Sequence, residues 1–314
     1  MKRASVFAPA TIGNVGPGFD VLGLSIADLG DVVSFDPSAA WEVGEVTGLD
    51  AASVPRDPAK NASCLAARAM LRLHGIDACG RLSVERSLPI SGGLGGSAAA
   101  SVGGALAAAL AFGITPTRGA LFAASLVGES AVAGAHLDNI APCVMGGLTL
   151  VRDASVPDVI AVPLTRDYFL ALVTPDQTLE TKTSRGVLPN ESARGEWIAQ
   201  MANTSALCVA FATGDSDLLR RALVDVFAEP RRASLITNFA RMKKAALDGG
   251  ALGCSISGAG PTLFAICESE AVARDVVSAI AAAAPSPPKA SFVRAIDRLG
   301  ARPADGKREG EPTS

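Results

Sequence analysis

Hydrophobic positions along the chain follow two alternating spacings. Some segments place apolar side chains at every second position, which is typical of strands, and others repeat them every three or four positions, which is typical of helices. Neither an internal repeat nor a long linker interrupts this alternation. The pattern predicts an α/β or α+β fold, because both kinds of element recur throughout the chain.

The first domain is predicted to span residues 1–154. Strands are expected at GGLTLV and near residues 3–8, 20–26, 31–36, 41–47 and 81–87. Helices are expected at 59–73, 97–112 and 116–131. The apolar residues that share one face of the first of these helices are Ala62, Leu65, Ala66, Ala69 and Leu73.

The second domain is predicted to span residues 155–300, after the connecting segment DASVPDV. Its expected strands are YFLALVTP, SFVRAI and the two ends of GCSISGAGPTLFAI, which flank a glycine turn. Its expected helices cover 192–212, 215–227, 234–248 and 270–283. The polar residues 301–314 predict a disordered tail.

Composition narrows the classes of function. The 314 residues are 49% hydrophobic and 19% charged, as in an ordinary globular protein. A net charge of -3, with no run of Lys and Arg longer than a pair, argues against a nucleic-acid partner. Six scattered cysteines without a CxxC pair predict a reducing, cytoplasmic compartment. With only two histidines, a structural zinc site is not expected.

The stretch 98–114 contains no charged residue. Its many alanines, together with Gly103 and Gly104, favour a closely packed core helix over a membrane span, since Ala and Gly prefer lipid only weakly. No membrane partner is therefore expected.

A glycine-rich loop leads into this helix, in the segment PISGGLGGSAAASVGGALAAALAF at 89–112. The first N–H groups of a helix have no partner inside it, and their dipoles attract anions. Glycines allow the backbone to approach a ligand closely, as in phosphate-binding loops. Ser97 adds a hydroxyl at the expected helix start. The segment therefore predicts a phosphate-binding loop.

Three other interpretations of the same segment can be compared on chemical grounds. A Walker A loop needs Lys where Gly96 stands, so it is excluded. Gly93, Gly95 and Ala98 satisfy the dinucleotide pattern GxGxxG/A, although no acid follows about 20 residues later. Close packing of a small-residue helix accounts for its internal glycines but not for those before Ser97. The dinucleotide site and the packing helix remain open on this segment alone.

Two further glycine-rich segments, 8–26 and 255–266, carry polar groups that a simple turn does not require. Together with the loop they resemble the three signature motifs of the GHMP small-molecule kinases. The first motif contains Asn14, Gly16, Pro17, Gly18, Phe19 and Asp20. The second resembles PxxxGLGSSAA and contains Pro89, Gly93, Leu94, Gly95, Ser97, Ala98 and Ala99. The third contains Gly258, Gly260, Pro261 and Thr262.

The segment GAHLDNIAPCVMGG at 134–147 resembles the block HxDNxAPxxxGG of those GHMP kinases that phosphorylate homoserine. The resemblance covers residues 4–296. The sequence departs from the family pattern at Gly96, which replaces the first of two serines, at Thr11 and Gly13, and in SLITNF, where LIPGF is usual. Because Ser97 keeps the second serine, phosphate binding is expected to persist.

The resemblance implies an N-terminal half with the ribosomal S5 domain 2-like fold and a C-terminal ferredoxin-like half. It implies ATP and Mg²⁺ as cofactors, homoserine as the substrate in the cleft between the halves, and a homodimer. The implied metal ligands are Ser97 and Glu129. The implied ATP-binding residues, with Asn61 near the adenine or ribose, are Asn61, Pro89, Gly92, Gly93, Leu94, Gly95, Gly96, Ser97 and Ala98.

Homoserine needs a cation for its carboxylate, an acid for its ammonium group and polar groups around its hydroxyl. The resemblance assigns the carboxylate to Arg185 and Arg232, and the ammonium group to Asp20. The neighbouring Arg231 is expected to be solvated. The remaining implied substrate residues, several of them around the hydroxyl, are Asn14, His136, Asn139, Thr181 and Gly260.

The implied catalytic residues are Ser97, Glu129 and Asn139. Asn139 can orient the acceptor hydroxyl but cannot accept its proton, so catalysis is expected to rest on positioning, with no assigned base. One alternative is a GHMP kinase acting on another alcohol, such as threonine or mevalonate. Another is a non-catalytic descendant that binds a nucleotide or metabolite. Asp20 with two arginines favours an amino acid, and the retained Ser97 and Glu129 favour an enzyme.

Overall fold

The structure is a computed structural model that describes residues 2–304 of the chain. Within that range the strands are β1 (Ala4–Gly13), β2 (Leu22–Ser38), β3 (Glu42–Gly48), β4 (Cys79–Arg86), β5 (Leu148–Asp153), β6 (Asp158–Val162), β7 (Phe169–Thr174), β8 (Gly253–Ile256), β9 (Leu263–Cys267), β10 (Ala290–Ala295) and β11 (Arg302–Pro303). The α-helices of the same range are α1 (Ala62–Leu73), α2 (Gly96–Ala111), α3 (Arg118–Ser130), α4 (Ile140–Met145), α5 (Thr181–Gly186), α6 (Arg194–Thr213), α7 (Ser216–Ala222), α8 (Ala228–Arg232), α9 (Phe239–Asp248) and α10 (Glu270–Ala283).

The larger of the two described sheets has seven strands, in the order β11-β1-β2-β4-β3, and β5 extends it by pairing with β2 and β6. Neighbouring strands are antiparallel except β3 and β4. A dinucleotide-binding domain requires a mostly parallel sheet around the strand that precedes its phosphate loop. The dinucleotide interpretation of the loop after β4 is therefore wrong.

Helix α2 is the centre of the first half, where it packs against α1, α3, β1 and β2. Small side chains allow this close packing. A Cβ at Gly104 would lie 2.3 Å from the carbonyl oxygen of Ser63, and one at Gly103 would lie 2.5 Å from a methyl carbon of Val33. The internal glycines of the segment thus serve packing, which fixes the position of the loop at the start of the helix.

The second described sheet has four antiparallel strands in the order β10-β7-β9-β8. Helices α9 and α10 pack against each other and against this sheet. Their apolar faces supply Met242, Ala246, Val276 and Ile280 to a core that is separate from that of the first half. Helix α9 is amphipathic with charged residues on its outer face, as expected for a helix covering a sheet.

The structure corrects several predicted elements. The strands expected at 20–26 and 31–36 form one strand, β2, in which Asp28 adopts a left-handed conformation. The helix expected at 215–227 ends at Ala222, and a separate short helix follows. The helix expected from 234 begins at Phe239, because Asn238 is left-handed (φ 61°).

The ends of the predicted domains also differ from the structure. The boundary at residue 154 falls inside the β5–β6 hairpin, so the first sheet continues to Val162. In the predicted tail, Arg302 and Pro303 pair with β1, and the N–H of Ala304 donates to the carbonyl of Ser5. The rest of the predicted tail, 305–314, lies outside the described residues.

None of the helices between residues 2 and 304 combines the length and the apolar character that crossing a lipid bilayer requires.

The α1–α2 contact should not tolerate a side chain larger than glycine's. In Gly104→Ala the new Cβ would overlap the backbone of Ser63, and we expect the free energy of unfolding to fall by about 2 kcal/mol or more. Gly119→Ala in α3 is the matched control, because only Thr117 Oγ1 lies near its Cβ, at 3.9 Å. That control should change stability by less than about 1 kcal/mol. Urea denaturation measures both, and equal effects would contradict the packing argument.

Candidate active site

A cleft of about 460 Å³ lies between the two halves of the molecule. The first half supplies the glycine-rich loop, the end of α3 and the segment before α4. The second half supplies the start of α5, the end of α8 and the turn between β8 and β9. The predicted cleft between the halves is thus present, and residues from distant parts of the sequence meet in it.

The glycine-rich loop contacts both other glycine-rich segments through its backbone. Gly93 (φ 80°) lies so close to the β8–β9 turn that a Cβ would be 2.4 Å from the carbonyl oxygen of Ser257. Gly95 (φ 67°) has no room for one either, because Thr11 Oγ1 would be 2.0 Å away. Glycine is required at both positions on steric grounds and for the positive φ.

Protein donors hold the carbonyl groups of this loop. Ser257 Oγ donates to the carbonyl of Gly93 at 2.6 Å, Thr262 Oγ1 donates to that of Gly92, and the N–H of Thr11 donates to that of Leu94 at 3.1 Å. Among the described residues, no acceptor pairs with the backbone N–H groups of 93–97. The loop and the first turn of α2 therefore present unpaired donors, as a phosphate site requires.

Ser97 and Glu129 form a pair at the end of this loop. Ser97 Oγ donates to Glu129 Oε1 at 2.9 Å, while the buried Glu129 Oε2 has no hydrogen-bond partner among the described residues. Burial raises the pKa of Glu129 to about 8, the Ser97 hydroxyl opposes this rise, and the nearby Asp138 adds to it. The pair leaves one oxygen of a strongly desolvated carboxyl unsatisfied.

Asp138 and Asn139 lie where the loop meets the first glycine-rich segment. Asn139 Oδ1 accepts from Thr11 Oγ1 at 2.8 Å. A Cβ at Gly13 would lie 2.5 Å from both Asn139 Nδ2 and Asp138 Oδ2. Burial raises the pKa of Asp138 to about 7, Asp20 adds to the rise, and Arg185 opposes it. Thr11 and Gly13, which depart from the family pattern, therefore directly shape the position of Asn139.

His136, Arg185 and Arg232 line the cleft and lie near Asp20, a predicted substrate residue that does not itself line it. Asp20 accepts two hydrogen bonds from Arg185, at 2.7 and 3.1 Å, and lies 3.6 Å from His136 Nδ1. The guanidinium carbons of Arg185 and Arg232 lie 5.6 and 5.3 Å from the ring centre of Phe19. Burial lowers the pKa of His136, and Asp20 opposes that fall. The resemblance implied that Asp20 and Arg185 contact the substrate separately, whereas the structure pairs them directly.

Within residues 2–304, Arg232 is held by backbone carbonyl groups and pairs with no acid. Its Nε donates to the carbonyl of Ser184 at 3.1 Å, and one terminal nitrogen donates to that of Gly258 at 2.9 Å. Asn14 Nδ2 donates to the same Gly258 carbonyl at 3.0 Å, and Asn14 Oδ1 accepts from the N–H of Asp20. Asn14 thus links the first and third glycine-rich segments.

The other predicted residues divide into two groups. Asn61 lines the cleft while its Oδ1 caps α1 by accepting from the N–H of Cys64 at 3.2 Å. Leu94 and Ala98 do not line the cleft, because both side chains are buried in the core of the first half. The remaining predicted residues whose atoms line the cleft are Pro89, Gly92, Gly93, Gly95, Gly96, Ser97, Thr181 and Gly260.

Arg231 differs from its neighbour Arg232. It lies outside the cleft and pairs with Glu196 through both terminal nitrogens. Its side chain is 30% exposed, so it is a partly solvated surface residue and not a substrate ligand.

Sequence reasoning missed Lys60, Arg86 and Lys182, which also line the cleft. Lys60 directly precedes the predicted Asn61, and Lys182 follows the predicted Thr181. Both could have been found by their position next to predicted site residues. Arg86 ends a strand, and its sequence neighbours give no such signal.

Comparison with known proteins is consistent with this site. The family models for the N-terminal domain and the C-terminal region of the GHMP kinases match residues 60–147 and 207–286. A homoserine kinase of Chlorobium phaeovibrioides is 40% identical over 282 residues, which are 86% of this chain and 88% of that protein. The chain belongs to the homoserine kinase family. A homoserine kinase of Arabidopsis thaliana is 39% identical over 273 residues, which are 84% of this chain and 74% of that protein.

A solved structure extends the match to the homoserine kinase family across the whole fold. The crystal structure of homoserine kinase from Cytophaga hutchinsonii superposes with a TM-score of 0.91 at 33% identity, covering 96% of this chain and 98% of that chain. The family and the two-part mixed α/β GHMP kinase fold predicted from the glycine-rich motifs are confirmed.

Because Glu129 is buried with a raised pKa, we expect the free energy of unfolding to fall as the pH rises. Because the pKa of its carboxyl is raised from 4.5 to about 8, the folded state retains a proton that the unfolded state loses. Relative to Glu129→Gln, which cannot titrate there, the free energy of unfolding should fall by on the order of a few kcal/mol between pH 4.5 and about pH 8. Urea denaturation in metal-free buffer across that range checks this. A pH-independent difference between the two proteins would show that Glu129 is ionised throughout.

Proposed function

We propose that this protein transfers the terminal phosphoryl group of ATP to the side-chain hydroxyl of homoserine, forming O-phosphohomoserine for threonine synthesis. One observation carries the proposal. Arg185 and Arg232 line the same cleft as the loop that presents the unpaired N–H groups of 93–97, and Arg185 pairs with Asp20, which does not line the cleft. A site for a small zwitterion therefore faces a site for phosphate.

The charged end suits an amino acid. In the part of the chain that the structure describes, the hydrogen bonds of Arg232 go to carbonyl oxygens only, so its positive charge is available to a carboxylate. Asp20 accepts two hydrogen bonds from Arg185 and does not line the cleft, and we propose that it accepts the ammonium group while sharing Arg185. Mevalonate has a carboxylate but no amine, so it would leave Asp20 without a new partner. This arrangement supports homoserine over mevalonate.

The phosphate end suits a nucleoside triphosphate. The N–H groups at the start of α2, together with the dipole of this helix, favour the phosphate charge. Asn61, at the start of α1, lines the same cleft and is proposed to lie near the adenine or ribose. The loop is held by both other glycine-rich segments, so its donors are fixed before the nucleotide binds.

Ser97 and Glu129 fit a magnesium ion. The unsatisfied Glu129 Oε2 and the Ser97 hydroxyl are hard oxygen donors, and Mg²⁺ needs few protein ligands because it keeps waters and phosphate oxygens. Within residues 2–304, no group of three or more His, Cys, Asp and Glu side chains forms a separate metal centre. When bound, the ion would neutralise phosphate charge during the transfer.

The proposed chemistry depends on positioning. Asn139 is fixed by Thr11 and Gly13, so its amide can orient the acceptor hydroxyl towards the phosphate end. We propose that the proton leaves to phosphate or water late in the transfer, because Asn139 cannot accept it. Asp138 lies next to Asn139 and has a pKa of about 7, so it is the group to test as a base.

Compartment and assembly belong to the proposal as well. We propose a cytoplasmic homodimer acting on small molecules, with no nucleic-acid or membrane partner. The resemblance to the GHMP kinases implies the dimer, and the sequence composition supports the compartment and the absence of a nucleic-acid partner.

The substrate is tested by supplying MgATP with homoserine, threonine, serine, mevalonate or shikimate in separate reactions. ADP release and the new ester, followed by phosphorus NMR, should be strong with homoserine alone. Ser97→Ala should lower turnover by at least about 10²-fold because it loses a proposed metal ligand. Such a loss would also show that the activity does not come from a contaminating kinase. If the protein phosphorylates another alcohol faster, the substrate-binding roles proposed for Asp20, Arg185 and Arg232 are wrong. Nucleotide binding without any turnover would identify a non-catalytic descendant.

Positioning without a base predicts a modest effect for Asp138→Asn. We expect turnover to fall by less than about 10²-fold, below the larger losses typical of a missing general base. Turnover, the KM for homoserine and the pH profile of kcat should be measured together. A loss of about 10³-fold or more with unchanged KM would make Asp138 the base. Disappearance of a limb near pH 7 from the profile would support the same conclusion.

A further inference from the structure

A buried ion pair lies directly behind the phosphate loop. Asp31, in the middle of β2, and Arg86, the last residue of β4, approach to 3.3 Å between Asp31 Oδ2 and an Arg86 terminal nitrogen. Their side chains are 0% and 6% exposed. Burying two charges carries a desolvation cost, so such a pair is weak evidence for stability alone. The pair also contacts the backbone that leads into the loop, which indicates a role in positioning the loop.

Both members of the pair hold the backbone where β4 becomes the loop. Asp31 Oδ1 accepts from the N–H groups of Ser87 and Leu88, at 2.9 and 3.3 Å. Arg86 donates from Nε to the carbonyl of Leu49 at 3.1 Å, and from a terminal nitrogen to that of Leu88 at 2.9 Å. Leu88 is thus held at both its N–H and its carbonyl, immediately before Pro89.

The pair also determines which charge faces the cleft. Arg86 lines the cleft, and Asp31 does not. A Cβ at Gly96, the first residue of α2, would lie 3.6 Å from an Arg86 terminal nitrogen. The guanidinium group therefore lies beside the helix end that presents the unpaired N–H groups. Asp31 Oδ2 lies 3.3 Å from a terminal nitrogen of Arg86 without a hydrogen-bond partner among the described residues, and burial raises the pKa of Asp31 while Arg86 opposes that rise.

A second carboxylate, that of Asp50, accepts from a backbone N–H two residues after Leu88. Asp50 Oδ2 accepts from the N–H of Ile90 at 2.9 Å, and Lys289 from the other half of the molecule compensates its charge at 2.8 Å. The N–H groups of 87, 88 and 90 are thus engaged by carboxylates. Those of 93–97 are left for a ligand.

We propose that the Asp31–Arg86 pair positions the phosphate loop for the nucleotide. The pair fixes the entry to the loop and keeps a positive group beside the N-terminus of α2, and so it sets nucleotide affinity. Both are positioning residues, which act through the loop backbone. The inference rests on the proposed nucleotide site but not on the identity of the phosphate acceptor.

The test compares Asp31→Asn and Arg86→Lys with a matched pair elsewhere. Asp297 is also buried, accepts two backbone N–H groups, from Leu299 and Gly300, and pairs with Arg302. It does not line the cleft. Asp297→Asn therefore controls for the general cost of weakening such a pair. Arg86→Lys keeps the charge but loses the planar fork that reaches two carbonyl groups and Asp31.

The measurements are the Kd of MgADP and MgATP by calorimetry, the KM for homoserine, and the thermal midpoint of each variant. We expect Asp31→Asn and Arg86→Lys to raise nucleotide Kd by about 10-fold or more, while the homoserine KM changes by less than about 3-fold. Asp297→Asn should lower the thermal midpoint without changing nucleotide Kd.

The proposal is overturned if all three variants change nucleotide Kd by the same factor, or if neither loop-side variant changes it. It is also overturned if the unsubstituted protein does not bind nucleotide. Tight nucleotide binding that depends on the pair, in a protein that phosphorylates none of the alcohols, would support the positioning role. The same result would contradict homoserine phosphorylation.

Discussion

The two halves of the molecule meet through backbone at a contact where no side chain fits. Gly93 touches the β8–β9 turn so closely that a Cβ would overlap the carbonyl oxygens of Ser257 and Gly260. Gly95 is confined in the same way by Thr11. These contacts join the loop to the first and third glycine-rich segments and thereby define the cleft. Because these contacts hold the loop on both sides, they also fix the position of its unpaired N–H groups.

The electrostatics of the cleft depends on buried carboxyl groups at one place and on incompletely paired arginines at another. Glu129 and Asp138 both have raised pKa values, and Asp138 contributes to the rise at Glu129. A cation beside Glu129 would favour its ionised form, and the resulting negative charge would oppose ionisation of Asp138. Arg185 offsets the charge of Asp20, while Arg232 pairs with no acid of the described range 2–304. The cleft therefore lacks a positive charge near Glu129 and a negative charge near Arg232. A metal-bound nucleotide would supply the first, and a substrate carboxylate would supply the second.

How much of this the sequence could predict depends on how local the signal is. The loop before α2 was predictable because glycines, a serine and a helix start lie within ten residues and follow simple rules of helix ends. Homology to a known family supplied Asp20, Arg185 and Glu129, but not that the first two pair with each other across 165 positions. The short helices α4 and α5 have six residues each, too few for a helical period to be read. Asp31 and Arg86 looked like ordinary charges on strands, and only the packed sheet shows that both are buried.

Gly96 illustrates why a departure from a family pattern is not evidence of lost function. Unlike Gly93 and Gly95, it has an ordinary helical conformation, and a Cβ there would meet nothing closer than 3.6 Å. Packing therefore does not demand glycine, and a serine would fit. What the position lacks is one hydroxyl, and the hydroxyl that contacts Glu129 comes from the next residue, Ser97. The space beside Gly96 faces Arg86, whose guanidinium group supplies positive charge next to the same helix end. The chain can omit the first serine because neighbouring residues provide the hydroxyl that donates to Glu129, the unpaired N–H groups and the nearby positive charge.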